Sequence, residues 1–230
     1  MKKKIVVLTG AGISAESGIK TFRGGNGLWD DYPIEQVASI DGWHRDPALV
    51  LSFYNKRRRE LSTVVPNAAH LALAALQDQF DVKIITQNVD DLHERAGSKQ
   101  IIHLHGELVK SRSVLSDTPT YPLPVDAPDL KLGDTDALGN QLRPFIVWFG
   151  EAVPMIEAAI EWVRQADILL IIGTSMQVYP AAGLVEYATR NTPIYLIDPV
   201  IPNVTSRQTI HPIEATASEG MKQFVALITK

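Results

Sequence analysis

The fold is decided by residues 5–18, which read IVVLTGAGISAESG. Ile5–Thr9 is a short, β-branched apolar run of the kind that forms buried strands of parallel sheets. Gly10 and Gly12 then allow a tight turn and a close approach of the backbone to a ligand, and the helix predicted to follow directs its N-terminus at a phosphate. The spacing G-x-G-x5-G differs from the G-x-G-x-x-G of ordinary dehydrogenases, and no clear acidic residue ends a second strand about twenty residues on. The segment indicates a nucleotide-binding junction of a less common type, with a plain strand–turn–helix junction as the alternative.

Similar apolar runs recur along the chain and alternate with helical patterns. The predicted strands are Ile5–Thr9, Val82–Thr86, Ile101–His105, Phe145–Phe149, Asp167–Ile172, Pro193–Asp198 and Ile213–Ala217. Helices are predicted after the N-caps Asp46 and Asn67, and over Met155–Arg164. This alternation predicts an α/β fold, a Rossmann-like doubly wound parallel sheet with a small second module formed by insertions.

One region interrupts the alternation. Ser111–Arg143 is rich in proline, glycine and aspartate, which excludes a helix or a central strand, and it is too long for an ordinary connection. We predict a single domain over residues 1–230. Its core comprises residues 1–19, 62–110 and 144–230, and its small module comprises residues 20–61 and 111–143.

Composition excludes several classes of protein. The chain has 230 residues, 22 Lys and Arg against 26 Asp and Glu, a net charge of −4 and no cysteine. Disulfides, thiolate catalysis and cysteine-based metal sites are excluded, and the mildly acidic balance gives no reason to expect nucleic-acid binding. The apolar runs are far shorter than the ~20 residues of a membrane span, so a membrane is not an expected partner either. The first residues resemble the start of a signal peptide, but the apolar run stops at Thr9, and we expect a cytoplasmic protein.

Polar residues follow two of the predicted strands. Gln87, Asn88 and Asp90 come directly after Val82–Thr86, at the carboxyl end of a strand, where α/β sheets bind ligands. An Asx-type turn that caps the next helix is the alternative interpretation. Gly173-Thr174-Ser175 follows Asp167–Ile172 in the same way, and its small residues and hydroxyls suit a phosphate or a ribose.

Two histidines lie on one side of a predicted strand, because His103 and His105 are two residues apart. Such a pair can bind a metal, but the sequence offers no cysteine and no evident third ligand. We therefore expect no metal, and we interpret His103 as a hydrogen-bonded core histidine. A neutral imidazole at His105 would suit removal of a proton from a hydroxyl group.

Six motifs in this order resemble the sirtuins, the NAD-dependent protein-lysine deacylases. They are Gly10–Gly18, Thr21-Phe22-Arg23 with Gly27-Leu28-Trp29, Thr86–Asp90, Leu104–Glu107, Trp148–Glu151 and Gly173–Ser175. The resemblance covers nearly the whole chain and fails only over Ser111–Arg143. It implies NAD as co-substrate, an acyl-lysine protein or peptide as substrate, and nicotinamide and O-acyl-ADP-ribose as products.

The resemblance also implies roles for individual residues. His105 would be the general base, and Asn88 and Asp90 would hold the nicotinamide ribose and the nicotinamide pocket. The implied NAD-binding residues are Gly10, Ala11, Gly12, Glu16, Thr21, Phe22, Arg23, Trp29, Gln87, Asn88, Asp90, Gly173, Thr174, Ser175, Asp198 and Ala217. Asp198 stands where the family usually has Asn, and a carboxylate can likewise accept from ribose hydroxyls. Val147, Phe149 and Gly150 would pair with the substrate peptide as an added strand.

The clearest departure from the family is the zinc module. Most sirtuins carry two cysteine pairs after the His-Gly-Glu motif, whereas Ser111–Arg143 has none, and Ser113 stands near the first expected ligand. We expect no zinc in this protein. Packing, or a partner, would then hold the insert.

A helix face predicts which acyl group is removed. Val50, Tyr54, Arg57 and Leu61 share one face of the helix that begins after Asp46. Tyr54-x-x-Arg57 matches the pair that reads the distal carboxylate in desuccinylase-type sirtuins, so we expect removal of succinyl and malonyl groups alongside acetyl. The alternative is that residues 56–59 form a solvated charge run.

Two other functions stay open: a mono-ADP-ribosyltransferase on this scaffold, and a catalytically idle NAD-binding module. The oligomeric state is not predicted.

Overall fold

The computed structural model describes residues 2–21, 32–124, 126, 129–202 and 209–229. Its strands are β1 (Lys4–Thr9), β2 (Asp81–Thr86), β3 (Ile101–His103), β4 (Gly106–Ser113), β5 (Thr120–Pro122), β6 (Leu142–Ile146), β7 (Ile168–Ile172), β8 (Ile194–Asp198) and β9 (Ile210–Glu214). Its helices are α1 (Ala11–Ala15), α2 (Ile34–Val37), α3 (Ile40–Arg45), α4 (Pro47–Leu61), α5 (Ala68–Leu76), α6 (Leu92–Arg95), α7 (Ile156–Arg164) and α8 (Ala217–Ile228), with a 3-10 helix at Ala181–Tyr187. Within these ranges, no helix is long and apolar enough to cross a membrane.

The main sheet has six parallel strands in the order β3-β2-β1-β7-β8-β9. Alternate side chains of its central strands enter two separate cores. Val6 and Leu8 belong to the core on one face, and Ile5 and Val7 belong to the core on the other. Burial on both faces explains the near-continuous apolar runs. The predicted α/β fold with a doubly wound parallel sheet is confirmed.

A second, antiparallel sheet corrects the prediction for Phe145–Phe149. That run is not a strand of the main sheet, because β6 pairs with β4 in a three-stranded sheet of order β5-β4-β6. Gly106 turns the chain out of the main sheet at a φ of +85°, and a Cβ there would lie 2.1 Å from the Phe145 carbonyl oxygen. A glycine is therefore required at this crossing. The small sheet takes up residues 106–110 and 144–146, which the predicted division assigned to the core.

The last predicted strand also ends elsewhere. β9 stops at Glu214, and Ala217 is the first residue of α8 instead of the end of a strand. Pro212 lies in β9, which is the edge strand of the sheet, where a missing N–H is tolerated.

The capped helices form as predicted. Asp46 accepts a hydrogen bond from the Leu49 backbone N–H at 2.9 Å, and Asn67 accepts one from Ala69 at 3.0 Å. These N-caps satisfy backbone donors that the first helical turn leaves open. The helix over Met155–Arg164 begins at Ile156.

Helix α4 holds the insert between β4 and β6. Asn55 donates to the Leu130 carbonyl at 2.9 Å and accepts from the Leu130 N–H at 3.0 Å. Arg59 and Asp129 form an ion pair of 2.5 Å beside this contact. Leu130 itself is buried in the core of the small module. Hydrogen bonds and packing therefore tie the insert to the module.

A buried ion cluster joins β6 to the loop that follows it. Arg143 is 1% exposed, lies 3.3 Å from the centroid of the Trp148 ring and bonds both carboxylate oxygens of Glu151, at 2.7 and 3.0 Å. Glu151 also accepts from the Trp148 backbone N–H at 2.8 Å and from Arg112 at 3.2 Å. One carboxylate thus compensates two arginines and orients a buried indole.

Replacement of Glu151 by Ala is expected to lower the free energy of unfolding by about 3 kcal/mol, because it leaves the Arg143 charge buried and unpaired. The loss lies at the lower end of the range for buried pairs, since the Glu151 side chain is 20% exposed. Urea unfolding measures it. Glu161→Ala, at a side chain that is 58% exposed on α7, is the control and should change stability by less than about 0.5 kcal/mol. Equal, small losses in both variants would show that the cluster adds little.

Candidate active site

A cleft of about 990 Å³ opens between the carboxyl edge of the main sheet and the small module. Most of the residues that the sequence predicted for the site line this cleft. These are Gly10, Ala11, Gly12, Thr21, Tyr54, Arg57, Gln87, Asn88, Asp90, His105, Val147, Phe149, Gly150, Gly173, Thr174, Ser175 and Asp198. Phe22, Arg23 and Trp29 lie outside the described residues.

The floor of the cleft is bare backbone. The Gly12 N–H donates to the Gly173 carbonyl at 2.8 Å, and the Gly10 N–H donates to Ile172 at 3.1 Å. A Cβ on Gly12 would lie 2.6 Å from the Gly173 Cα. These glycines let the loops after β1 and β7 pack directly on each other. The three glycines place no side chain of their own in this part of the cleft, and Rossmann-type sites use such glycines where the backbone approaches a dinucleotide.

Asn88, Ser14 and Asp90 form a buried chain of hydrogen bonds behind this floor. The Asn88 amide donates to the Gly10 carbonyl and to the Ser14 hydroxyl, both at 3.1 Å, and Ser14 donates to Asp90 at 3.0 Å. Because the Asn88 N–H₂ group is engaged, its side-chain oxygen is the group that can accept from a ligand hydroxyl. Ser14 was not predicted as a site residue, although it lies inside the glycine-rich motif that pointed to the site.

Asp90 has two roles in this chain. One of its oxygens accepts from Ser14, and the other accepts from the Leu92 backbone N–H at 3.2 Å. The Asx-type turn is therefore present together with the contact to the cleft. Burial raises the pKa of Asp90 above its usual range.

His105 is held in one tautomer. Its Nδ1 lies 3.1 Å from the Gln87 carbonyl oxygen, which can only accept, so Nδ1 carries the proton and Nε2 is an acceptor. Burial lowers the pKa of His105, and the ring is therefore neutral near pH 7. Gln87 is fixed in turn by its side-chain hydrogen bond to Thr174 at 3.0 Å. The arrangement suits a general base.

His103 lies outside the cleft and is fully paired. Its Nε2 is 2.6 Å from a Glu94 carboxylate oxygen, and its Nδ1 is 3.2 Å from the Asn88 carbonyl. Burial opposes the charged ring, but the Glu94 carboxylate outweighs it and raises the pKa of His103. The interpretation of His103 as a hydrogen-bonded histidine agrees with these contacts. Among the described residues, no group of three His, Cys, Asp or Glu could hold a metal ion.

Tyr54 and Arg57 line the cleft from α4. The Tyr54 hydroxyl accepts from the Trp148 indole N–H at 3.0 Å, which leaves its own O–H to be donated. Burial raises the pKa of Tyr54, so the hydroxyl stays protonated. The Arg57 guanidinium lies 5.2 Å from the Phe53 ring centroid and forms an ion pair of 3.2 Å with Glu60. Both groups are donors that a carboxylate could use.

Two predicted NAD ligands lie away from the cleft. Glu16 accepts from the Thr216 hydroxyl at 3.1 Å and from the Ser218 N–H at 2.8 Å, so its carboxylate caps α8. Ala217 is buried in the core of the main sheet. Neither residue lines the cleft in the described part of the chain, and their assignment to the cofactor stays a prediction. Asp198 does line the cleft, and burial raises its pKa.

The order of the strands in the main sheet, the glycines between β1 and β7, and the cleft at the carboxyl edge together define a nucleotide-binding α/β protein of the Rossmann type. Within this class the chain belongs to the Sir2 family, whose profile matches residues 10–180. The resemblance to sirtuins that the motifs indicated is thereby confirmed.

Relatives and solved structures match almost the full length. A protein of Bacteroides thetaiotaomicron named NAD-dependent protein deacylase is 54% identical over 229 residues, with 98% of each chain covered. A protein of the same name from Helicobacter pylori is 53% identical, with 97% of this chain and 96% of that one covered. A Sir2 homologue in complex with NAD has a TM-score of 0.86 at 38% identity and covers 99% of this chain and 90% of its own. A Sir2 structure with a p53 peptide and NAD⁺ has a TM-score of 0.79 at 29% identity, with 98% and 93% covered.

Proposed function

We propose that this Sir2 enzyme is an NAD-dependent protein-lysine deacylase that removes succinyl and malonyl groups as well as acetyl. The observation that carries the proposal is one cleft holding His105, with an acceptor nitrogen, together with the donors Tyr54 and Arg57. The names of the relatives, at about half identity over almost the whole chain, support the deacylase part. The acyl preference rests on Tyr54 and Arg57 alone.

The residues of the cleft then have separate tasks. When bound, NAD supplies a ribose carbon that accepts the acyl oxygen as nicotinamide leaves. His105 takes the proton from a ribose hydroxyl at Nε2, while Gln87 holds its Nδ1–H. The Asn88 side-chain oxygen accepts from the ribose, since its amide is already bonded to Gly10 and Ser14. One water is consumed to release the amine, and the products are free lysine, nicotinamide and O-acyl-ADP-ribose.

The substrate peptide would add as a strand along Val147–Gly150. The N–H groups of Val147 and Phe149 already donate to the carbonyls of His105 and Ala38, both at 2.9 Å. The peptide would therefore use the carbonyl oxygens of this segment and the Gly150 N–H. The Phe149 side chain is half-exposed and lines the same cleft.

The test is a panel of acetyl-, succinyl- and malonyl-lysine peptides incubated with NAD. Nicotinamide release together with loss of the acyl mass from the peptide is the expected result. Gain of an ADP-ribose mass on the peptide would instead identify an ADP-ribosyltransferase. Binding of NAD without nicotinamide release from any peptide would identify an idle NAD-binding module.

We also propose that the enzyme carries no structural zinc. The contacts of Asn55 with Leu130 and of Arg59 with Asp129 support this, because they tie the insert to α4 without a metal. Purified protein should contain far less than one zinc per chain by elemental analysis, and a chelator should leave its Tm unchanged. A ratio near one zinc per chain, lost together with stability on chelation, would contradict the proposal.

The cytoplasm is the location we propose. The apolar run that resembles a signal peptide is built into β1, a central strand whose residues Ile5 to Thr9 are buried. Neither a nucleic acid nor a membrane is proposed as a partner, in keeping with a net charge of −4.

A further inference from the structure

An ion pair in the cleft joins two residues whose side chains differ in exposure to solvent. Arg57 Nη1 and Glu60 Oε2 are 3.2 Å apart, and their side chains are 14% and 50% exposed. Both residues line the cleft. The guanidinium is thus largely buried in the wall of the cleft, whereas the carboxylate is free to turn towards water.

Arg57 retains unused capacity for a second anion. Its guanidinium lies against the Phe53 ring, 5.2 Å from the centroid, and in the described part of the chain its Nε is buried without a hydrogen-bond partner. Glu60 is the carboxylate that the structure pairs with it. A guanidinium has five donors in a planar fork, so one ion pair of this kind leaves part of the fork unsatisfied.

We propose that Glu60 is a specificity-determining residue that competes with the acyl carboxylate of the substrate for Arg57. The proposal rests on the proposed function, namely that Arg57 binds the distal carboxylate of succinyl- or malonyl-lysine. Such a carboxylate must either displace Glu60 from Arg57 or bind close to it, where the two negative charges repel each other. An acetyl group carries no charge and meets neither obstacle. Glu60 therefore shifts the preference of the enzyme towards neutral acyl groups.

Glu60→Gln tests this proposal, because it keeps the length of the side chain and removes its charge. The KM for succinyl-lysine peptide should fall roughly two- to fivefold, the equivalent of one partly exposed ion pair. The ratio of kcat/KM for succinyl to that for acetyl should rise by the same factor. Glu161→Gln is the matched control: Glu161 has the same spacing to Arg164, 3.9 Å away on α7, and lies outside the cleft. It should leave the ratio unchanged.

The possible outcomes separate this proposal from the proposed function. One set of results would overturn the role of Glu60 alone. In this set, the wild type removes succinyl groups, Arg57→Met loses that activity, and Glu60→Gln leaves the ratio unchanged or lowers it. A lower ratio would show that Glu60 orients Arg57 for the substrate, and an unchanged ratio would show that Glu60 does not affect the acyl preference. Absence of succinyl turnover in both the wild type and Glu60→Gln, with normal acetyl turnover, would overturn the acyl preference as well. Succinyl turnover by Glu60→Gln but not by the wild type would be the strongest form of the expected result.

Discussion

Replacing His105 by Ala or Tyr abolishes deacylation in a protein that stays folded; this is the expected result with the largest effect. The ring nitrogen Nε2 is the proton acceptor that the cleft presents, and loss of a general base costs roughly 10²- to 10⁴-fold in rate. In the described part of the chain, the side-chain hydrogen bond removed with it is the one from Nδ1 to Gln87. Nicotinamide release from an acetyl-lysine peptide measures activity, and circular dichroism with a thermal melt measures folding.

His211→Ala is the matched control. His211 is exposed on the edge strand β9 and does not line the cleft, so turnover should be unchanged. The wild type offers a second readout. A general base at His105, as proposed, acts in its neutral form. Burial holds the pKa of His105 below the usual 6.5, so turnover should persist through pH 7 and fall only as the pH drops below about 6.5. A folded His105→Ala protein with full activity would refute the assignment.

The central strands could be predicted from the sequence because burial on both faces leaves a distinctive pattern. β1, β2, β7 and β8 are short runs rich in Val, Ile and Leu, and all four were found. The same pattern led to the wrong sheet being predicted for Phe145–Phe149. An apolar run of five residues does not tell which sheet it joins, and that choice depends on the turn at Gly106 and on pairing with β4.

The residues at the sheet edge that lines the cleft could be predicted for a geometrical reason. The carboxyl ends of parallel strands meet at one edge, so polar residues after β1, β2 and β7 had to converge there. The contacts of Glu16 could not be predicted, because its partners, Thr216 and Ser218, lie about two hundred residues away in the sequence. The partner of Glu151 was missed for a related reason: Arg143 lies inside the insert, which matched no motif. Contacts of this kind leave no local pattern.

Arg57→Met should raise the KM for succinyl-lysine peptide roughly ten- to a thousandfold, by removal of a charge-assisted pair with the acyl carboxylate. Methionine keeps the apolar stem that packs near Phe53, so the helix face should remain filled. The kcat/KM for acetyl-lysine, which has no carboxylate, should fall by less than about threefold. Steady-state kinetics on the two peptides, at saturating NAD, gives both numbers from one preparation.

Arg59→Met is the matched control for this change. It makes the same substitution two residues further along α4, at a side chain that is 54% exposed and paired with Asp129 outside the cleft. If the charge of residues 56–59 as a whole attracted the anionic peptide, both variants would raise the succinyl KM by similar factors. If Arg57 binds the carboxylate directly, only Arg57→Met raises the KM for the succinyl peptide far more than the KM for the acetyl peptide. Equal losses on succinyl and acetyl in Arg57→Met would show that the residue is structural, and the acyl preference would then have no support in this chain.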